Sequence, residues 1–414
     1  MADEELLSKI HGLGDLDLAA LLCLTSREHC IISTEPEALD DLVQELQLVV
    51  TETFNLKAAT VSLTPETTLD DFAASILLNS AGSRAESPLL RSRTPVQDSY
   101  FYGALRPTSH ASHHSRVALS PLSQISPSGG PQQNAAPQIA NVILARDLDK
   151  APKVVQIQAL ELMRTRRIYT RTSVQTAPKQ FLFIAVLGAA SGGEARVTDH
   201  LNDFFYLAHW HDPLDGFAHL EEQDGASMVE DEFGTRPRSE TEDSDSDASV
   251  VRRPSRTSTP HHELFARSPS RGPSNDPALA SKGPLITEAD VTTLSLASRE
   301  VNVDVEVLRY QMNLISFMRM HQAVTGGIIP LATKHFDTLV RSMAVLHGLD
   351  YVTPALVVLA LRKIYLHRIR IVRDHSMERS MQWGSEAAAV EQLLEGVGPE
   401  EVMEDVIDMV DAPL

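Results

Sequence analysis

Two short apolar runs, Ile139–Ala145 and Phe181–Leu187, have the length of strands buried on both faces. Between them, helical spacing puts Val154, Ile157, Leu160, Leu162 and Met163 on one apolar side. Ile168, Thr170, Thr172 and Val174 then alternate with polar neighbours, the pattern of a strand over Ile168–Ala177. Strand, helix, strand and buried strand in succession predict a parallel α/β core centred on Ile139–Gly188. Upstream, His29–Ser33 reads as a strand and Pro36–Phe54 as a helix, with Leu39, Leu42, Val43, Leu46 and Val50 as its stripe and Pro36 in its first turn. A second strand is expected over Ala58–Leu63, and a helix start at Thr67 or Thr68. Before all of these, residues 5–27 give two short helices separated by Gly12 and Gly14, with Asp15 capping the second.

The pattern beyond the core is different. Thr198–Phe205 reads as helix and Phe205–His209 as extended chain. Residues 285–377 are helical throughout, over Thr287–Ser298, Asp304–Ala323, Pro330–His347 and Thr353–Arg373, punctuated by Gly326, Gly327 and Gly348. The last of these helices turns basic through Arg362, Lys363, His367, Arg368, Arg370 and Arg373, cations suited to a helix C-terminus. Residues 79–138 and 216–284 lack the apolar density to offset chain entropy and read as two disordered insertions. The expected division is N-terminal helices 1–27, an α/β core 28–215 interrupted at 79–138, a linker 216–284, a helical lid 285–377 and an acidic tail 378–414. The tail holds short amphipathic helices that suit a partner or the chain's own basic helix.

Composition narrows the chemistry. A formal net charge of −20 over 414 residues disfavours a nucleic-acid surface, which needs a positive face. No run is long and apolar enough for membrane insertion, and the acidic N-terminus lacks a signal-like apolar segment, so a soluble, intracellular and more specifically cytoplasmic protein is expected. Cys23 and Cys30 sit in apolar surroundings and read as buried reduced thiols. His110, His113 and His114 lack partners at ligand spacing, and no metal site is assigned to them. His209 and His211, flanking Trp210, read as half-exposed residues of an interface strand. Ser87, Thr94, Ser120 and Ser126 precede prolines, and Arg252-Arg253-Pro254 precedes Ser255, so a phospho-regulated adaptor is a third functional reading.

The order of elements, with NVILARDLDKAPKVVQIQALELMRTRRI, APKQFLFIAV and HLNDFFYLAHWHDP, resembles the AAA+ ATPases of the MoxR and magnesium-chelatase ATPase-subunit group. The stretch around Tyr310, VEVLRYQMNLISFMRMHQAV, and HGLDYVTPALVVLALRKIYLHRI resemble that family's helical lid. The resemblance covers roughly 28–78, 139–215 and 285–370, and implies an AAA+-like parallel-sheet core, ATP and Mg²⁺ as cofactors, hydrolysis, and assembly with related subunits in a ring.

The residues that this chemistry needs are missing. A phosphate loop, GxxxxGK[ST], uses backbone N–H groups and a lysine to hold phosphate; the aligned positions are Ser33, Ala38, Leu39 and Asp40. No Lys or Arg lies between Arg27 and Lys57, and Glu35, Glu37, Asp40 and Asp41 would repel phosphate. The Asp-Glu pair expected at the end of the central strand reads Arg146-Asp147, leaving Asp147 as the remaining acid. Phe204 takes the place of the trans-acting arginine beside Asp203, and Pro330-Leu331 that of the lid's Pro-Arg step. The expected function is a non-hydrolysing AAA+-like scaffold or regulatory subunit working with protein partners. The alternative is an active magnesium-chelatase-type ATPase coupling hydrolysis to metal insertion or client remodelling.

Overall fold

The computed structural model describes residues 4–78, 138–170, 173–189, 197–223, 284–374, 376 and 378–413. The three histidines at 110–114 and the phosphoacceptors Ser87, Thr94, Ser120, Ser126 and Ser255 lie outside these residues, as do nearly all of both low-complexity segments.

The core is a parallel sheet of β1 (Cys30–Thr34), β2 (Ala58–Ser62), β5 (Val142–Arg146), β8 (Leu182–Gly188) and β9 (Leu207–Trp210), in the order β2-β5-β8-β1-β9. The remaining strands of the core stand outside it: β3 (Leu77–Leu78) pairs with β4 (Gln138–Ile139), and β6 (Arg167–Tyr169) with β7 (Val174–Thr176). The contiguous apolar runs work because each strand buries both faces. Ile32, Val142, Leu144, Ile184 and Val186 face one core, and Ile31, Ile143, Ala145, Phe183 and Ala185 face the other.

The first core is closed by α1 (Glu4–Ile10), α2 (Asp15–Ser26) and α3 (Leu39–Leu48), and by the C-terminal helices; the second by α4 (Leu69–Ser75), α5 (Lys153–Thr165) and α6 (Asp199–Phe204). Thr68 caps α4 by accepting from Asp71 N–H. Gly14, not Asp15, is the N-cap of α2; the Asp17 carboxylate accepts from its N–H at 3.2 Å, because the acid three positions on can reach back. Cys23 and Cys30 are buried and unbridged.

Three local expectations change in the tertiary setting. The alternating stretch Ile168–Ala177 is the β6–β7 hairpin beside the sheet rather than one of its strands. On α5 the buried side is Val155, Gln156, Ala159, Leu162 and Met163, leaving Val154 and Ile157 exposed. Gln156 fixes that orientation: its Nε2 donates to Ala151 O at 3.0 Å and its Oε1 accepts from Thr198 N at 2.9 Å, tying the helix to the start of α6. Thirdly, residues 217–220 pack onto α3 instead of belonging to a free linker. The N–H groups of His219 and Leu220 donate to the buried Glu45 carboxylate at 3.1 and 3.0 Å.

The C-terminal part contains α7 (Glu288–Glu300), α8 (Val305–Met320), α9 (Pro330–Leu346) and α10 (Pro354–Tyr365), followed by α11 (Ala387–Leu394) and α12 (Pro399–Met409). α10 is shorter than its apolar-to-basic run suggests. The chain turns at His367–Arg368, and β11 (Arg370–Ile371) pairs antiparallel with β10 (Val324–Gly326). Gly327 permits this, with φ +97°; a Cβ there would lie 1.8 Å from Arg368 O. α9 packs on α2 and α7, and α10 on β9, so the lid buttresses the flank of the sheet. α12 buries Val402, Met403 and Val406 against this helical part, joined by Arg362–Glu404 at 2.9 Å.

Candidate functional site

In a parallel sheet, ligands gather at the carboxyl ends of the strands. Here that edge holds the turns after β1, β5 and β8. Ser33 remains within β1, in register with Leu187 on one side and Trp210 on the other, and its carbonyl accepts from His211 N at 2.8 Å. Thr34 is tied in the same way: its O accepts from Ala189 N at 2.8 Å and its Oγ1 donates to His211 O at 3.0 Å. Gly188 lets the end of β8 approach Pro36, where a Cβ would come within 3.2 Å of Pro36 Cα. The loop after β1 is therefore drawn against its neighbours by their own backbones.

Pro36–Ala38 forms one 3₁₀ turn, in which Ala38 N–H donates to Glu35 O at 3.1 Å. That amide is spent inside the turn rather than pointed at a ligand. Leu39 opens α3 and is packed in the hydrophobic core. A lysine there would have to leave the core to meet phosphate. Asp40 and Asp41 occupy the first turn, where acids suit the helix dipole. Asp40 forms an ion pair with Arg146 at the end of β5. Asp147, in the left-handed region at φ 56°, pairs with Lys150 at 2.8 Å and approaches Arg146 at 3.4 Å.

The sequence-predicted positions Asp40, Arg146 and Asp147 thus meet, and their charges neutralise one another. Asp40 stands in the first turn of α3, and Arg146 ends β5 at the position that the resemblance assigns to a metal-binding acid. ATP and Mg²⁺, the cofactors that the resemblance implies, do not fit these residues: the loop and α3 carry no lysine, and carboxylates already pair with the nearby cations Arg146 and Lys150. Among the described residues no group of His, Cys, Asp and Glu has the arrangement of a metal site.

The positions expected to carry transition-state cations lie on other elements. Phe204 ends α6, and Leu331 lies in the first turn of α9. Asp203 meets Arg370 at 3.3 Å; burial pushes its carboxyl upward, with Arg370 opposing. Beside it is a buried polar seam between core and lid that no sequence motif announces. Arg368 is fully buried and reaches Phe205 O, with His335 Nδ1 2.8 Å away. Burial lowers its guanidinium to about 10 and leaves Nε and Nη1 without a protein partner. Asn202 Nδ2 donates to His367 O at 2.6 Å. Glu28 lies 3.8 Å from His335, but burial pushes the acid up to about 7 and the imidazole down to about 3, so near pH 6 this is mainly a contact of neutral groups. The only sequence signal for this seam is the density of charge in LHRIR directly after an apolar helix.

His209 and His211 are both buried rather than half-exposed, because β9 lies under the lid and the 213–217 turn. They point to separate partners: His209 Nδ1 lies 2.8 Å from Lys363 Nζ, and His211 Nε2 lies 3.0 Å from Gly216 O.

The AAA lid domain family matches residues 316–393, from within α8 into α11. No curated protein matches the chain. Among solved structures, a Cytophaga hutchinsonii protein described as a candidate ATPase is similar, with a TM-score of 0.56 and 13% identity, covering 99% of this chain and 94% of that one. At that identity the likeness speaks for the fold alone: a parallel α/β core followed by a helical part, within which the AAA lid match lies. Among the described residues, no helix is long and apolar enough to cross a membrane.

Proposed function

We propose that this chain is a non-hydrolysing AAA+-like scaffold or regulatory subunit, related to the MoxR and magnesium-chelatase group and joined to related subunits or clients through its core and lid. The Asp40–Arg146 ion pair carries this reading. It joins the two elements between which a nucleotide's phosphates and metal would have to sit, and it fills that place with the chain's own charges. The buried Leu39 and the internally bonded Ala38 amide point the same way. Hydrolysis also needs a cation against the developing charge, and neither Phe204 nor Leu331 supplies one.

Calorimetry on the purified chain tests this. Titration of ATP with Mg²⁺ to millimolar concentration should give no saturable heat, and phosphate release should match a heat-inactivated control. Micromolar ATP binding with steady turnover would overturn the reading in favour of an active motor.

A further inference from the structure

A cleft of about 630 Å³ opens between α2, β9, α9 and α10, and none of Ser33, Ala38, Leu39, Asp40 or Asp147 lines it. Its volume lies within the range of small-molecule sites, roughly 300–1,000 Å³, and such sites favour junctions between structural units. The walls are chiefly apolar, with Leu22 from α2, Leu207 from β9, Met343 from α9 and Leu359 from α10. Into this apolar cleft projects Lys363, only partly exposed, its Nζ 2.8 Å from His209 Nδ1.

That pairing leaves an unbalanced charge. An ammonium has no acceptor lone pair, so Lys363 must donate and His209 Nδ1 must accept, which places the ring proton on Nε2. Burial holds the imidazole neutral, lowering it to about 4, so it offers Lys363 no counter-charge. Among the described residues Lys363 forms no ion pair. Asp15, exposed at the rim, acts on it only through space, and burial keeps the ammonium below its ordinary value. His11 and His347 are the other titratable groups of the lining. A partly buried cation, bonded to a neutral imidazole and without an ion-pair partner among the described residues, at one side of an apolar cleft suits an acceptor anion on an apolar body.

We propose that this cleft binds a small amphipathic carboxylate, its apolar body against Leu22, Leu207, Met343 and Leu359 and its carboxylate on Lys363 Nζ. The binding residues come from both core and lid, so occupancy stabilises their contact. None of the loop-edge positions lines the site, so the proposal does not rest on whether the chain binds ATP.

The probe is sodium decanoate, titrated calorimetrically into the full chain below its micelle concentration, with decanol as the uncharged control. Decanoate should bind saturably with one site per chain, at least tenfold tighter than decanol. Lys363→Met should erase that preference while leaving decanol binding intact. Leu359→Trp, at a half-exposed position that tolerates a larger side chain, should block both ligands. Asp15→Asn should tighten decanoate severalfold by removing the one carboxylate of the lining. ATP should not displace the probe. The proposal fails if wild type shows no saturable decanoate binding, if Lys363→Met keeps the preference, if Leu359→Trp binds normally, or if ATP competes. Thermal melting checks that each variant folds; should Lys363→Met not fold, the Leu359→Trp and decanol measurements decide.

Discussion

Arg146 and Arg368 are both cations close to the central sheet, and they meet opposite conditions. Arg146, at the loop edge, is about one-third exposed and pairs with a largely exposed Asp40. Arg368, at the core–lid seam, is wholly buried, with backbone carbonyls and a neutral histidine for company and no carboxylate at pairing distance among the described residues. At an exposed edge, lost ligand chemistry can be replaced by surface charges at little cost, since water screens them. At a buried seam each polar group must find a partner or cost stability. The edge where a motor would do its chemistry is thus made of inexpensive contacts, while the joint between core and lid is made of exacting ones.

The seam should fail first in acid. His29, His335 and His209 are lowered by burial to about 3, 3 and 4, and His367 is lowered as well. Between those values and the ordinary imidazole value of 6.5, the unfolded chain binds more protons than the folded one, so stability rises with pH across that window. Glu28 has the opposite sign: raised from 4.5 to about 7, it makes stability fall as pH rises between those values. The imidazoles outnumber it, so denaturant midpoints should climb from pH 4 to 6.5, and Glu28→Gln should steepen that climb. A flat profile would show that the seam is not closed in solution.

Truncation at the same joint comes next. Tyr206 is fully buried and meets His335 edge-on at 5.3 Å between centroids. Tyr206→Ala should cost about 3–5 kcal/mol in urea denaturation, as for other large buried aromatics. Asn202→Ala, which orphans the His367 carbonyl, should cost about 1–3 kcal/mol. The smallest effect belongs to the other region. Arg146→Ala should change stability by about 1 kcal/mol or less, and it should restore no ATP binding, because Leu39 remains in the core. If Arg146→Ala proved as costly as Tyr206→Ala, the contrast between edge and seam would collapse.

Some of this was legible in the linear chain, and the reason lies in the range of the forces involved. Strand positions follow from contiguous apolar runs, because burial on both faces leaves no polar alternation to disguise them. The helix over Leu39–Leu48 follows from its stripe, and the missing phosphate-binding lysine from the absence of any cation between Arg27 and Lys57. The orientation of α5 did not follow. Apolar residues lie around much of that helix, and the choice was made by Gln156, a polar side chain bonded to elements on both sides. The basic run at the end of α10 was equally opaque. Its periodicity suits a solvated helix terminus, yet Arg362 pairs with Glu404, Lys363 enters a cleft, Arg368 is buried and Arg370 pairs with Asp199 and Asp203.

The sequence by itself marked the strands of the parallel sheet and most of the helices, and showed that no Lys or Arg lies between Arg27 and Lys57. Both are properties of neighbouring residues: local periodicity, and the presence or absence of a charge. Only the tertiary structure decided that Asp40 and Arg146 would meet and that a lysine and a histidine would share an apolar cleft. Those contacts depend on strand order and on the seating of the lid, which are set by the burial of whole faces and cannot be read from any one segment.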